Sequence, residues 1–470
     1  MIYHHLFDKF RRQDEVQAAV IGAGHFGTAV VTQQRYTEHL HVVIVCDKNL
    51  KSAQDAFLKA GLTEQQLAYT KDPQEAQRLI DAGRYVYTDD AMMIMEVPSV
   101  DVVCEGTGAP EAAAAHCLRA IERGKHVAII SKELDSVVGP ILKKQADERG
   151  VVYSPVDGDQ PALLMQMVEW ARLIGLTVIS AGKARDGEFI LDEQKRTVSI
   201  YADDVTIDRD YTVEIPESEM KYFGMIPEGR AEEYIARRAE LLRGLPGAGG
   251  FDLCEMVMVA NATGLKLPER PELTQAALRI TELPVAYCAR KNGGVYAGEG
   301  LVDILTTLRR PDESGMGGGV YLVVRCDNAY SNYILTTKGQ IPNYDHSTAV
   351  IYRPYHLCGV EVATTLLCQG MLGIDTGTGR YHPHYDLARR AVRDIRAGEV
   401  LGNDHDPKLS SLILPATRRA PDAAIPAHMA AGNTARVDIP AGTVITYGMV
   451  DAPADSVLWR LRAEQERVFA

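Results

Sequence analysis

The sequence predicts an α/β chain: a doubly wound parallel sheet, then an α+β domain, then a small β-rich domain at the C-terminus. Three observations carry that prediction. The first is a glycine turn, Gly22-Ala23-Gly24-His25-Phe26-Gly27, set between an apolar run and a helix-compatible segment. The second is the alternation of short apolar runs with helical segments from 17 to 155, which fits one open sheet with helices on both faces. The third is a change of texture after Asp386, where polar–apolar alternation broken by Ala-Gly turns replaces helical spacing.

Residues 4–15 read as a short polar helix, and Ala18-Ala19-Val20-Ile21 as a buried strand that runs into the glycines. Gly22 allows a tight turn, Gly24 lets backbone approach a pyrophosphate, and Gly27 lets the helix lie close to the strand. The helix start, at His25 and Phe26, presents N–H groups and the positive dipole end to phosphates. A second strand, His41 to Cys46, ends on Asp47, twenty residues past Gly27. A carboxylate there can accept hydrogen bonds from an adenosine ribose diol. GxGxxG alone is compatible with a plain flexible turn. The strand before it, the helix behind it and the acid at that distance make it a dinucleotide site of the Rossmann type.

Leu50–Ala60 and Pro73–Ala82 read as helices by spacing and composition. Ser99–Cys104 is another buried strand, ending on Glu105-Gly106-Thr107-Gly108; Thr107 and Gly108 sit where a cofactor crosses the carboxyl edge of such a sheet, with a plain strand-to-helix turn equally available for Thr107. An alanine-rich helix (Glu111–Gly124), a strand (Lys125–Ile130), a helix (Val138–Arg149) and a strand (Val151–Tyr153) complete the first domain, residues 1–155.

Residues 156–385 form the expected catalytic and dimerisation domain, so the chain is expected to self-associate. It opens on the turn Asp157-Gly158-Asp159 and a helix from Ala162 to Ile174. Next come the strand Thr177–Ala181, a polar stretch from Gly182 to Gly187, and a helical insertion with a loop over 192–248. An apolar helix from Phe251 to Gly264, the strand Val320–Arg325 and a helix running to about Met371 follow. In the third domain, residues 386–470, the segments 391–399 and 435–443 share one pattern, alternation running into Ala-Gly and alternating again, before a charged amphipathic helix from Asp455 to Phe469.

At 470 residues, two or three domains are expected. The net charge of −13 argues against nucleic-acid or anionic-membrane partners, which need basic surface, and leaves a small-molecule substrate. No apolar run is long enough to cross a bilayer, and Met1–Arg12 carries charges where a signal peptide has its apolar core. The eight cysteines are scattered without a CxxC pair, as expected of a reducing compartment, the cytoplasm.

With these segments placed, the nucleotide half resembles that of homoserine-dehydrogenase-type oxidoreductases. The wider pattern resembles 1-deoxy-D-xylulose 5-phosphate reductoisomerase-like proteins, through Ser180-Ala181-Gly182-Lys183, Ala260-Asn261-Ala262-Thr263-Gly264-Leu265 and Arg353-Pro354-Tyr355-His356-Leu357. The closing β segment resembles a SAF domain. The resemblance implies reduction, with NAD(P)H, of a small polar carbonyl compound such as 1-deoxy-D-xylulose 5-phosphate. In the reductoisomerase case a skeletal rearrangement comes first, with a divalent metal on the vicinal oxygens. The compact carboxylate loop that binds metal in that family has no clear copy here, which leaves Asp157, Asp159 and Glu255 as candidate ligands.

Hydride transfer to a carbonyl needs a cation or acid near the developing alkoxide. Lys132 and Glu133 follow the strand 125–130 at the cofactor edge, and Lys132 resembles a lysine that homoserine dehydrogenases place near substrate; a solvated loop lysine is the bland alternative. Lys183 follows a strand and a glycine, with Arg185 two residues on, so two cations could converge on a phosphate or carboxylate. An ion pair with Asp186 or Glu188 is its structural alternative. Asp159 could fix substrate hydroxyls or be ordinary turn chemistry. Glu255, on an apolar helix, needs a partner, which could be a structural arginine as easily as substrate. Asn261 and Arg353 are candidate substrate contacts and His356 a candidate general acid or a capping histidine.

The leading expectation is an NAD(P)-dependent reductase or reductoisomerase of a small phosphorylated or carboxylated substrate. A dehydrogenase oxidising a hydroxy or amino acid and a non-catalytic NAD(P) sensor are the competitors. Asp47 should repel a 2′-phosphate and favours NAD; Lys48 beside it, and the reductoisomerase resemblance, pull towards NADP, to which the reading leans.

Overall fold

The computed structural model describes residues 2–202, 211–377 and 379–470. The fold is α/β, and the chain divides into two compact units. Met1–Ala162, Leu357–Leu409 and Ala416–Ala470 form the first, Leu163–His356 and Ser410–Pro415 the second.

In the first unit the strands are β1 (Val16–Ile21), β2 (Leu40–Cys46), β3 (Leu67–Tyr69), β4 (Tyr85–Thr88), β5 (Val102–Glu105), β6 (His126–Ile129) and β7 (Tyr153–Pro155). They lie in the order β3-β4-β2-β1-β5-β6-β7, all parallel. The order reverses at β1, so the carboxyl ends of β1, β2 and β5 open onto a topological switch point, where such sheets bind ligands. Helices His25–Gln33 and Leu50–Lys59 cover one face together with residues 362–372; Pro110–Glu122 and Lys132–Glu148 cover the other. The sequence reading passed over β3 and β4. They are three and four residues long, and their buried residues (Leu67, Val86 and Thr88) do not form a continuous apolar run. It also started the helix Lys132–Glu148 at Val138, although Lys132 and Glu133 belong to its first turn.

Residues 386–470, read from sequence as a third domain, group with the first unit apart from Ser410–Pro415. The two similar segments noted there pair with each other. Ile395 and Ile439 exchange backbone hydrogen bonds of 2.9 and 2.8 Å in an antiparallel bridge. Asp394 accepts from the Ala441 N–H (2.9 Å) and Asp438 from the Ala397 N–H (2.8 Å), so each aspartate braces the other segment's Ala-Gly turn. The terminal helix Val457–Val468 packs on Lys132–Glu148. Arg462 fixes it there, donating to both oxygens of Asp386 (2.7 and 2.6 Å) and to the Val137 carbonyl (3.2 Å).

The second unit is built on a mixed sheet of nine strands: β8 (Thr177–Ala184), β9 (Glu188–Asp192), β10 (Thr197–Tyr201), β11 (Thr212–Glu214), β12 (Ala276–Leu278), β13 (Leu301–Arg309), β14 (Val320–Arg325), β15 (Ile341–Pro342) and β16 (Ala349–Arg353). At its centre β8 runs parallel to β13 and antiparallel to β14. The helical insertion expected over 192–248 is helical only in its second part, Ala231–Leu241 following a 3-10 turn at Glu217–Phe223. Its start holds β10, where Val198 and Ile200 alternate with polar residues, and β11; residues 203–210 lie outside the described residues. No helix among the described residues is long and apolar enough to cross a membrane.

Arg238, on Ala231–Leu241, is fully buried and pairs with the equally buried Glu282 through two bonds, 2.7 and 2.8 Å. Its remaining donors reach the carbonyls of Tyr222, Gly224 and Ala277. An uncompensated buried carboxylate costs about 3–5 kcal/mol. Arg238→Met should therefore lower stability by about that amount, read as a fall in the urea midpoint of the transition that reports on this unit.

Candidate functional site

In the first unit the glycine turn is shaped by close backbone approach. A Cβ at Gly22, whose φ is 98°, would stand 2.4 Å from the Gly106 carbonyl oxygen, and one at Gly27 would stand 1.9 Å from the Gly22 carbonyl oxygen. Gly24 differs: nothing lies within 4 Å of a Cβ placed there, and the residue lines a cavity of about 520 Å³. The same cavity is lined by Gly22, Asp47, Lys48, Lys71, Gly106, Thr107 and His116. Of the expected cofactor residues, Gly22, Gly24, Asp47 and Thr107 thus line one cavity, while His25, Phe26, Gly27 and Gly108 are not among its lining residues.

Asp47 accepts from the Ala23 N–H through Oδ2 and from the Asn49 N–H through Oδ1, both at 2.8 Å. Its carboxylate therefore ties the tip of β2 to the glycine turn and keeps one lone pair per oxygen for other donors. Lys71 is held by Asp89 at 2.9 Å, and Asp89 also accepts from the Tyr69 hydroxyl.

The sequence reading named Glu105 only as the end of a strand. It is fully buried at the tip of β5 and organises the loop beside it. Its Oε1 accepts from the Thr107 hydroxyl (2.6 Å) and lies 3.3 Å from His116 Nδ1; its Oε2 accepts from the Ser131 hydroxyl at 2.5 Å. Ser131 Oγ in turn accepts from the Gly108 N–H at 2.9 Å. A carboxylate closing the run Val102-Val103-Cys104 was the available signal, since such a group must find partners.

Lys132 and Asp159, both expected to be catalytic, meet at 3.3 Å, with Lys132 about one-fifth exposed. Asp159 also caps Gln160 through its backbone N–H at 3.1 Å. Glu133 faces Gly108: a Cβ there would stand 3.8 Å from its Oε1. Burial pushes the Glu133 carboxyl above its ordinary range, against the lowering effect of His428 and Lys132. Asp157, also buried, donates its backbone N–H to the Thr365 hydroxyl at 2.8 Å.

In the second unit Lys183 is placed differently from expectation. β8 continues to Ala184, so Lys183 lies inside the strand. Gly182 is packed closely against the neighbouring strand: a Cβ there would stand 1.8 Å from the Asp303 carbonyl oxygen. Lys183 is fully buried, 2.5 Å from Glu255 and 3.0 Å from Asp252 on the helix Gly250–Thr263. Glu188 binds Arg309 at 2.8 Å and accepts from the N–H groups of Met316 and Gly317. Arg185 Nε lies 3.8 Å from Asp252, and its guanidinium donates to the Pro246 carbonyl at 2.7 Å; burial lowers its pKa. Asn261 is buried on the same helix as Glu255. His356 and Asp186 both abut Gly318, and Arg353 stacks on Tyr355 at 4.6 Å.

Glu255 is committed to Lys183 and Asp159 to Lys132, and no group of three or more His, Cys, Asp or Glu able to hold a metal occurs among the described residues.

Residues 22–154 match the family model of the homoserine dehydrogenase NAD binding domain, and residues 249–362 match that of the catalytic domain of oxidoreductase DRL. These two stretches match domains of oxidoreductases, the first of them an NAD binding domain. A homoserine dehydrogenase from Methylobacillus glycogenes is 30% identical over 140 residues, 27% of this chain, and the chain spans about a third (32%) of that protein. Among solved structures, a DOX-P reductoisomerase with fosmidomycin and magnesium is 14% identical over 53% of this chain and 58% of that one, with a TM-score of 0.31. GenD2 from gentamicin A biosynthesis, in complex with NAD, is 19% identical over 39% of this chain and 47% of that one, with a TM-score of 0.26. Likeness at these scores carries no assignment of substrate to this oxidoreductase-type chain.

Lys183→Met would leave Glu255 and Asp252 buried beside a neutral side chain. Stability should fall by about 3–5 kcal/mol, and adding Glu255→Gln should recover part of the loss. Urea denaturation of the two variants checks this; a fully stable Lys183→Met chain would show that the lysine is not a structural ion-pair partner.

Proposed function

We propose that this chain is an NAD(P)H-dependent reductase of a small polar carbonyl compound that carries a phosphate or carboxylate. The observation that carries the reading is the cavity at the carboxyl edge of the parallel sheet. Gly24 leaves there the space a pyrophosphate needs, and Asp47 stands at the tip of the second strand. The match of residues 22–154 to an NAD binding domain supports the same reading.

The residues fit such a cofactor. The N–H groups at the start of His25–Gln33 would hold its phosphates, and Asp47 would take ribose hydroxyls. Lys48 and Lys71 line the same cavity and would tolerate a 2′-phosphate, so the reading keeps its lean to NADP. When bound, the reduced cofactor supplies the hydride. On the protein side, Lys132, steadied by Asp159, would stabilise the oxyanion as it forms, and Glu133 would hold the proton it receives. The reductoisomerase form of the reaction, on a substrate such as 1-deoxy-D-xylulose 5-phosphate, rests on the motif resemblance at 180–183, 260–265 and 353–357, while the match of residues 249–362 to the oxidoreductase DRL catalytic domain supports an oxidoreductase. A homoserine-dehydrogenase-like oxidation of a hydroxy or amino acid is the second reading, favoured by the 30% identity to a homoserine dehydrogenase. Self-association through the second unit and a SAF-like role for the C-terminal segment remain part of the proposal.

Screening NADPH and NADH oxidation against sugar phosphates, aldonates and semialdehydes tests it, with NADPH-dependent turnover of a phosphorylated or carboxylated carbonyl expected. Gly24→Val should keep the fold, because its Cβ meets nothing, yet abolish NAD(P)H binding. Unchanged affinity in that variant would mean that the cavity is not the cofactor site.

A further inference from the structure

The carboxyl ends of β2, β4 and β3 bring three charged side chains to one level of the first sheet. Cys46 pairs with Thr88 across β2 and β4, and Tyr69 with Tyr87 across β3 and β4. Asp47 and Asp89 each follow the first pair by one residue; Lys71 and Asp89 each follow the second by two. The Asp47 N–H donates to the Thr88 carbonyl at 3.1 Å, which ties the two strand ends together. Lys71 reaches back from the edge of the sheet to Asp89, with Nζ 2.9 Å from Oδ1 and 2.9 Å from Oδ2. Asp89 Oδ1 also accepts from the Tyr69 hydroxyl at 3.2 Å. Asp90 is occupied otherwise: it caps the helix Ala91–Ile94, accepting from the N–H groups of Met92 and Met93. Lys71, Asp89 and Asp90 line the same cavity as Gly24, Asp47 and Lys48.

We propose that the Lys71–Asp89 pair is the selector for the cofactor's 2′-phosphate. Asp89 holds Lys71 in the cavity and yields it to the phosphate of NADPH. This rests on the reductase reading above and names the lysine that decides between NADPH and NADH.

In a sheet of this type the adenosine ribose lies on the acid that closes the second strand, here Asp47. The next strands outward are β4 and then β3, at spacings of about 4.8 Å. A group that extends from the ribose away from the glycine turn therefore meets Asp89 and then Lys71. A 2′-phosphate is such a group, and it carries close to two negative charges at neutral pH. The Asp89 carboxylate, with both oxygens on Nζ, occupies the place on Lys71 that phosphate oxygens would take.

The charges explain why the exchange matters. That end of the cavity is lined by three aspartates, Asp47, Asp89 and Asp90, and two lysines, Lys48 and Lys71. While Lys71 serves Asp89, Lys48 is the lysine left to offset Asp47, and a phosphate there gains little. Releasing Lys71 supplies a second cation to match the second phosphate charge. The pair gives up little in return, because Lys71 is half exposed and Asp89 is 28% exposed, and solvent weakens such pairs. Asp89 keeps the Tyr69 hydroxyl when the lysine leaves.

The test reads binding and needs no substrate: fluorescence titration with NADPH and with NADH of the parent, Lys71→Met, Asp89→Asn, Lys48→Met and the double variant Lys71→Met/Asp89→Asn. Lys71→Met should weaken NADPH binding by about tenfold or more and leave NADH binding within about twofold, which also certifies the fold. Asp89→Asn should tighten NADPH binding by about threefold or more with little change for NADH, because the competing carboxylate is gone. In the double variant that gain should be lost, since there is no lysine left to release. A gain as large in the double variant means that Asp89 acts by repulsion alone, and overturns the proposal. A Lys71→Met chain whose two affinities change together or not at all overturns it as well, as does a loss of selectivity confined to Lys48→Met. A parent chain that binds neither cofactor sinks the reductase reading and the selector with it. A parent that binds both, with a ratio no variant moves, leaves that reading standing and removes the selector alone.

Discussion

A buried carboxylate at the tip of a parallel strand has to be neutralised by its neighbours, and in the nucleotide domain that demand falls on Glu105. Its two oxygens gather the Thr107 and Ser131 hydroxyls and approach the His116 ring, and Ser131 passes the constraint to the Gly108 backbone. The loop after β5 is thereby fixed against the loop after β6, and the cavity wall formed by Gly106, Thr107 and His116 follows from it. Gly22, whose approach to Gly106 tolerates no side chain, lines the same cavity. Gly24 lines it too, with nothing within 4 Å of a Cβ placed there. Networks of this kind are rigid when every member is satisfied and costly when one is missing.

The same rule organises the second unit, with different consequences. Lys183 and Arg185 look exposed in the sequence because they sit in a polar stretch after a glycine. In the fold they belong to a central strand, and two acids on one apolar helix are what make their burial tolerable. Arg238 and Glu282 repeat the pattern, forty-four residues apart in the chain.

Much of the nucleotide domain was legible in the sequence. The glycine turn, the run from Ala18 to Ile21 and the acid at 47 are local signals, and β1, β2, β5 and β6 lie close to where they were expected. Short half-exposed strands such as Leu67–Tyr69 were not legible, because three residues hold too little pattern. Lys132 and Asp159 could each be suspected, but their meeting is a property of the fold. Partnerships across long separations were invisible for the same reason: Lys183 with Glu255, Ser136 with His428, Arg462 with Asp386. The repeat in 391–399 and 435–443 was visible as pattern. That the two copies brace each other through Asp394 and Asp438 was not, since strand pairing is not written in either copy alone.

The most direct test of this account is to measure NADPH and NADH affinity by titration calorimetry in Glu105→Gln. The amide keeps the shape of the side chain but turns one acceptor towards hydroxyl donors as a donor. The loop should lose its anchor, and affinity for the preferred cofactor should fall by about tenfold or more, equivalent to about 1.4 kcal/mol. Affinity equal to that of the parent chain would contradict the claim that Glu105 builds the cofactor site.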